Sequence, residues 1–143
     1  MGVVAVGVDG SDRSVPALEW AVKEAAAHGH TLRVVTAWSI PVTALSPGGL
    51  PAPYPIDELK SDGRAAQEAV IAKVEIPEGL QLEHHVVEGG PGAVLLDAAK
   101  EADLLVIGSR GHGGFTGLLL GSVGQQLTGH AACPVVVVPT AHH

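Results

Sequence analysis

Hydrophobic positions gather in five short runs, residues 3–9, 32–38, 82–88, 104–109 and 135–139, rich in Val, Ile and Leu. Three of these runs are nearly unbroken, the pattern of strands covered on both faces. Between them the period lengthens to that of a helix. Ala17, Leu18, Ala21, Val22 and Ala25 form one stripe at i, i+3, i+4 spacing, opened by Ser14 and Pro16 and closed by Gly29. The spacing predicts a second helix over 57–74, turning Ala65, Ala69 and Ala72, or positions beside them, toward the sheet. A third is predicted over 93–101, following Pro91, with Val94, Leu95 and Ala98 inward. A fourth begins at Ser122, where Ser122 and Gln125 have the S-x-x-Q spacing of a capping box.

Five strands alternating with four helices imply an α/β fold: one doubly wound, parallel sheet with right-handed crossovers and helices on both faces. The chain has 143 residues, within the ~100–200 typical of one domain. No repeat or linker divides residues 1–143, and residues 141–143 read as a tail. The proline-rich stretch 40–56 is predicted as a surface loop, long enough either to move or to cover a site.

Composition narrows the function classes. Fifteen acids against eight bases leave a net charge of -7, which argues against general binding to nucleic acid or anionic membranes. Only four residues are Phe, Trp or Tyr, too few for a base-stacking platform. The single cysteine, Cys133, excludes a disulfide framework and fits a reducing compartment. All Asp, Glu, Lys and Arg lie at or before Arg110, leaving the last 33 residues without charge. Polar residues from Ser122 to Pro134 interrupt that stretch short of the ~20 apolar residues of a membrane helix. The opening MGVVAVGVDGS has no basic region or cleavage site, so the expected location is the cytoplasm.

In an open parallel sheet, ligands sit beyond the carboxyl ends of the strands, where strand order reverses. The residues to watch therefore follow the strands: Asp9, Gly10 and Ser11; Ala37 to Ser39; Gly89 to Gly92; and the run from Gly108 to Gly124. Glycine makes up 19 of 143 residues, nearly double the ~7 per cent average, and eight of the 19 fall between Gly108 and Gly129. A glycine loop running from a buried strand to a helix start is an anion site by construction, because its N–H groups can turn inward onto phosphate. A plain turn explains Gly113, Gly114 and Gly117 equally well; Gly108, Gly111, Gly121 and Ser122 are better placed for phosphate.

Several motifs are excluded. No P-loop sequence occurs and no lysine follows Lys100. GHGGFT lacks the last glycine of a dinucleotide fingerprint, and Ser122 is not in a nucleophile elbow. His84 and His85, adjacent on a strand, point to opposite faces and cannot clamp one metal. Asp12 and Arg13 read as solvated or capping residues, His112 as a loop residue and Cys133 as a packed small side chain. Arg110 fits either a bidentate phosphate contact or a solvated loop charge.

Gly108-x2-Gly111-x9-Gly121-Ser122, after a strand, resembles the ATP-binding branch of the universal stress protein family. The opening VGVDGS, DLLVIGSRGHGG, LLLGSV and the closing CPVVVVP resemble that family in the same order, from Val3 to Pro139. The resemblance implies strand order 3-2-1-4-5 and an ATP ligand, accompanied by Mg or Mn. It places Asp9, with Gly10 and Ser11 after it, near the adenosine and phosphates, in contact with a metal directly or through water or phosphate. Ala37 and Ile107 would lie beside adenine, Ala37 more loosely than the valine often found there. Gly108 and Gly111 would underlie the ribose and phosphates, with Arg110 between them. Gly121, Ser122 and Val123 would hold phosphate oxygens. It also implies a homodimer paired through the last strand, Val135–Val138.

Three classes of function fit. The first is a nucleotide-dependent stress-response or signalling module with little or no turnover and protein partners still to be named. The second is a slow ATPase or nucleotidyl-transfer enzyme, which needs a clamp and a base where only Asp9, Arg110 and His112 are at hand. The third is a dimeric interaction module that binds no nucleotide, against which the complete glycine pattern counts.

Overall fold

The computed structural model describes residues 2–39, 56–109 and 122–139. Its strands β1 (Val3–Gly7), β2 (Thr31–Trp38), β3 (Leu82–Glu88), β4 (Leu104–Gly108) and β5 (Val135–Val138) form one sheet in the order β3-β2-β1-β4-β5. Every pairing is parallel: Val4 lies beside both Leu32 and Leu104, Leu32 beside Leu82, and Leu105 beside Val135. The helices are α1 (Val15–His28), α2 (Ile56–Ile71), α3 (Pro91–Lys100) and α4 (Ser122–His130). This is the doubly wound sheet expected from the sequence, in the strand order that the resemblance implies. The predicted loop lies outside the described residues except for Ile56, which begins α2.

Alternation along the strands explains the two-sided core. Val4, Val6, Val34 and Val106 point to one face, where α1 and α2 cover them with Leu18, Ala21, Val22 and Val70. Ala5, Val35, Leu105 and Ile107 point to the other, against Val94, Leu95 and Ala99 of α3 and Leu127 of α4. Helix α1 buries the predicted stripe and ends at Gly29, whose φ of 67° and ψ of 28° suit glycine. Helix α3 starts two residues earlier than expected, because Pro91 occupies its first position with φ already set. Ala99 is buried there, with Ala98 packed less deeply against the same core.

The inner face of α2 falls on the positions beside the named alanines. Ala65, Ala69 and Ala72 are exposed, and the side turned to the sheet carries Ala66, Gln67, Val70 and, just beyond the helix, Val74. Gln67 is fully buried, and its amide nitrogen Nε2 lies 3.2 Å from the Val34 carbonyl, 3.1 Å from the His85 carbonyl and 2.9 Å from Thr36 Oγ1. A polar residue occupies the inward position because it ties the helix across β2 and β3. Cys133 packs against the α3–α4 core, and burial pushes its thiol pKa up. Among the described residues no helix is long and apolar enough to cross a membrane.

Candidate functional site

Strand order reverses between β1 and β4, and a cleft of about 260 Å3 opens at the carboxyl ends of the strands there. Val35 and Ala37 of β2, Ile107 of β4 and Leu95 of α3 give it an apolar floor. Its rim is polar: Asp9, Arg13 and Ser14 after β1, Gly108 and Ser109 at the end of β4, and Ser122, Val123 and Gly124 in the first turn of α4. The first N–H groups of a helix have no partner within it, so α4 brings unmatched donors to the cleft.

The segment after β1 is held by local hydrogen bonds. Val8 extends the strand pairing by donating its N–H to the Val35 carbonyl at 2.9 Å. Asp9 Oδ1 then accepts from the Ser11 N–H at 2.9 Å, the Ser11 hydroxyl at 2.7 Å and the Ser14 hydroxyl at 2.7 Å. The Asp9 N–H donates to Ser14 Oγ at 3.0 Å, closing the ring. Asp9 is thus fixed by the turn it organises, one pattern by which Asp favours such turns. Gly10 lies between with φ of 87°, and a Cβ there would stand 2.8 Å from the Ala66 Cβ of α2. Behind the loop, the Thr36 hydroxyl donates to the Val8 carbonyl at 2.9 Å.

Of the residues the sequence singled out, Asp9, Ala37, Ile107, Gly108, Ser122 and Val123 all line this cleft. Gly10 and Ser11 belong to the Asp9 turn behind the rim. Arg110, Gly111 and Gly121 lie outside the described residues. The sequence reading missed Ser14, taken for a helix start, and Arg13, taken for a solvated or capping residue. Ser14 carries no signal of this in the sequence, because its contact with Asp9 depends on the path of the intervening turn. Arg13 precedes it within a 3-10 turn, Asp12–Ser14, that packs against β4. Pro91, within the segment Gly89 to Gly92 that the sequence singled out, lines the cleft as well, whereas Leu95 was missed because a core residue of a helix carries no chemical label.

Among the described lining residues Asp9 alone is acidic and Arg13 alone is basic; none is histidine, lysine or cysteine. No group of three His, Cys, Asp or Glu among the described residues could hold a metal ion. The arrangement suits a flat apolar group on the strand floor with an anionic extension toward the glycine and helix rim.

The pattern of the universal stress protein family matches residues 1–139. A universal stress protein of Mycolicibacterium smegmatis is 36% identical over 137 residues, covering 94% of this chain and 45% of that protein. The chain thus spans about half the length of this and several mycobacterial relatives. A universal stress protein solved in complex with cAMP is 30% identical with a TM-score of 0.63, covering 98% of both chains. One from Archaeoglobus fulgidus, solved in complex with dAMP, is 25% identical with a TM-score of 0.63, covering 96% of this chain and 97% of that one.

Proposed function

The chain belongs to the universal stress protein family, and from that premise we propose that it binds an adenine nucleotide, ATP foremost, in the cleft between β1 and β4. The observation that carries this reading is the union of an apolar strand floor, Val35, Ala37 and Ile107, with a rim made by Gly108 and the first turn of α4. Adenine would lie on the floor beside Ala37 and Ile107. The phosphates would run toward Ser122 and Val123, where the helix end favours negative charge by ~0.3–1 kcal/mol. The cAMP and dAMP complexes of the two solved relatives support an adenine ligand.

The described residues do not fit a protein-held Mg or Mn ion. Asp9 Oδ1 already accepts three hydrogen bonds, and no further acid lines the cleft among the described residues. A divalent cation would arrive on the phosphates of the nucleotide. The protein would act as a nucleotide-dependent stress-response or signalling module of the cytoplasm with little turnover, since none of the described lining side chains pairs a nucleophile with a histidine base. Its last strand would pair two copies.

The test is mass spectrometry of the ligand released from purified protein, with calorimetric titration of ATP, AMP, cAMP and GTP. Saturable binding of adenine nucleotides with GTP weaker is expected. Absence of binding by every adenine nucleotide overturns the reading in favour of an interaction module.

A further inference from the structure

We propose that Gly7 and Leu95 form a matched pair that sets the depth of the floor on which the base rests, an inference that deepens the adenine-nucleotide reading above and rests on it. Gly7 ends β1, the central strand, and lines the cleft together with Leu95 of α3. It shares the face of Ala5, two residues before it, and lies level with Val35 of β2. Ala5 pairs with Leu105, so Ile107 completes the same row on the side of β4. The centre of that row has no side chain of its own, and Leu95 drops into the space from α3. A Cβ on Gly7 would stand 2.9 Å from Leu95 Cδ1 and 3.1 Å from Cδ2. Glycine weakens a strand and often marks a place where another group approaches the backbone closely, as Leu95 does here. Gly7 has no positive φ, so space alone and not conformation excludes a side chain.

The contact has a direction. Leu95 is 7% exposed and belongs to the packed core that holds Val35, Ile107 and Leu127, which leaves it little room on those sides. The open space it borders is the cleft. A methyl group at position 7 would therefore lift the Leu95 δ-methyls toward the base, making the floor between Val35, Ala37 and Ile107 shallower. Leu95 Cγ stands 3.6 Å from the same Cβ position, an ordinary contact. A valine reaches no farther than its γ carbons, so Leu95→Val removes the clash that Gly7→Ala creates.

Calorimetric titration of ATP, AMP and adenosine into the unaltered protein, Gly7→Ala, Leu95→Val and the double variant decides the matter, with urea unfolding to show that each is folded. Gly7→Ala should weaken all three ligands by a common factor, roughly tenfold, because all three carry the same base. Leu95→Val alone should change affinity by no more than about threefold, and added to Gly7→Ala it should restore binding to within about threefold of the unaltered protein. Such rescue separates a fitted pair from general weakening, which a second core truncation would deepen. Unchanged affinity in Gly7→Ala, a loss confined to ATP, or no recovery in the folded double variant overturns the pairing and leaves the nucleotide reading standing. Where Gly7→Ala alone does not fold, the double variant carries the test: folding and binding like the unaltered protein supports the pair, and loss of either overturns it. Failure of the unaltered protein to bind any of the three overturns both.

Discussion

At the scale of single residues, the turn from Asp9 to Ser14 is the most constrained part of the site. Its conformation follows from one carboxylate oxygen accepting three hydrogen bonds and from a glycine with positive φ pressed on a helix. Gly10 is constrained twice: φ of 87° disfavours an L side chain, and Ala66 occupies the space a Cβ would enter. Asparagine tolerates positive φ far better than alanine, so the two constraints separate. Gly10→Ala and Gly10→Asn should both lower the unfolding free energy by about 2 kcal/mol, read from urea midpoints. An asparagine variant as stable as the parent would show that α2 does not press on the turn. The carboxylate of Asp9 was legible as a strand-end acid, but its bonding to Ser14 was not. Hydrogen bonds between residues five apart depend on the turn's path, which composition does not encode.

At the scale of elements, helix α2 shows where periodicity misleads. Counting the alanines themselves as inward sets the helix face about one position off, whereas the structure buries Gln67 and exposes Ala65 and Ala69. The physical reason is that carbonyls of β2 and β3 face this helix, and a buried amide donor satisfies them better than a methyl group. Helix α1, with aliphatic residues alone on its inner face, was legible in full. The central strands β1 and β4 were legible for a similar reason, since burial on both faces leaves little besides Val, Ile, Leu and Ala. Where β2 and β3 become polar, they are joined by charge instead. Arg33 Nε donates to Glu83 Oε1 at 2.8 Å between residues in register. The Arg33 hydrogen bond holds the Glu83 pKa below its usual value, against a smaller opposing effect of burial, with His85 adding to the lowering. A depressed carboxylate stabilises the fold above its unfolded pKa of ~4.3, and that stability is lost as pH falls through the folded value. Arg33→Gln should therefore cost about 0.5 kcal/mol at neutral pH, the Glu83 side chain being nearly half exposed and the pair screened by solvent, and the gap should close below about pH 4. Thermal unfolding of both proteins across pH 3–7 checks this; a gap that stays constant with pH would remove the ion pair from the account.

At the scale of the whole molecule, charge and glycine divide the chain between two tasks. The acids stop at Asp103 and no lysine follows Lys100, while the glycines crowd into the stretch after β4, so under the proposed function phosphates would meet backbone donors there. The same uncharged stretch ends in β5, at the edge of the sheet, with neighbouring strand β4 on one side. Val136 and Val138 pack toward α1 and α2 while Val135 and Val137 pack toward α3 and α4, so both faces of β5 are used within the subunit. What remains is its backbone edge. Leu105 donates to the Pro134 carbonyl at 3.0 Å and Ser109 to the Val138 carbonyl at 2.9 Å, which turns the groups of residues 134, 136 and 138 toward β4. The N–H and C=O of Val135 and Val137 then face outward. Among the described residues no strand pairs with these outward groups; such an edge on an uncharged strand is a template for another strand, and two copies related by a two-fold axis would pair it antiparallel. Proline distinguishes the two edges because it lacks the N–H. Val137→Pro removes an outward donor and should convert a dimer to a monomer in light scattering, with cooperative unfolding retained. Val136→Pro removes a donor aimed at β4 and should lower stability whatever the oligomeric state. A Val137→Pro variant that remains dimeric would place the contact between copies on another surface.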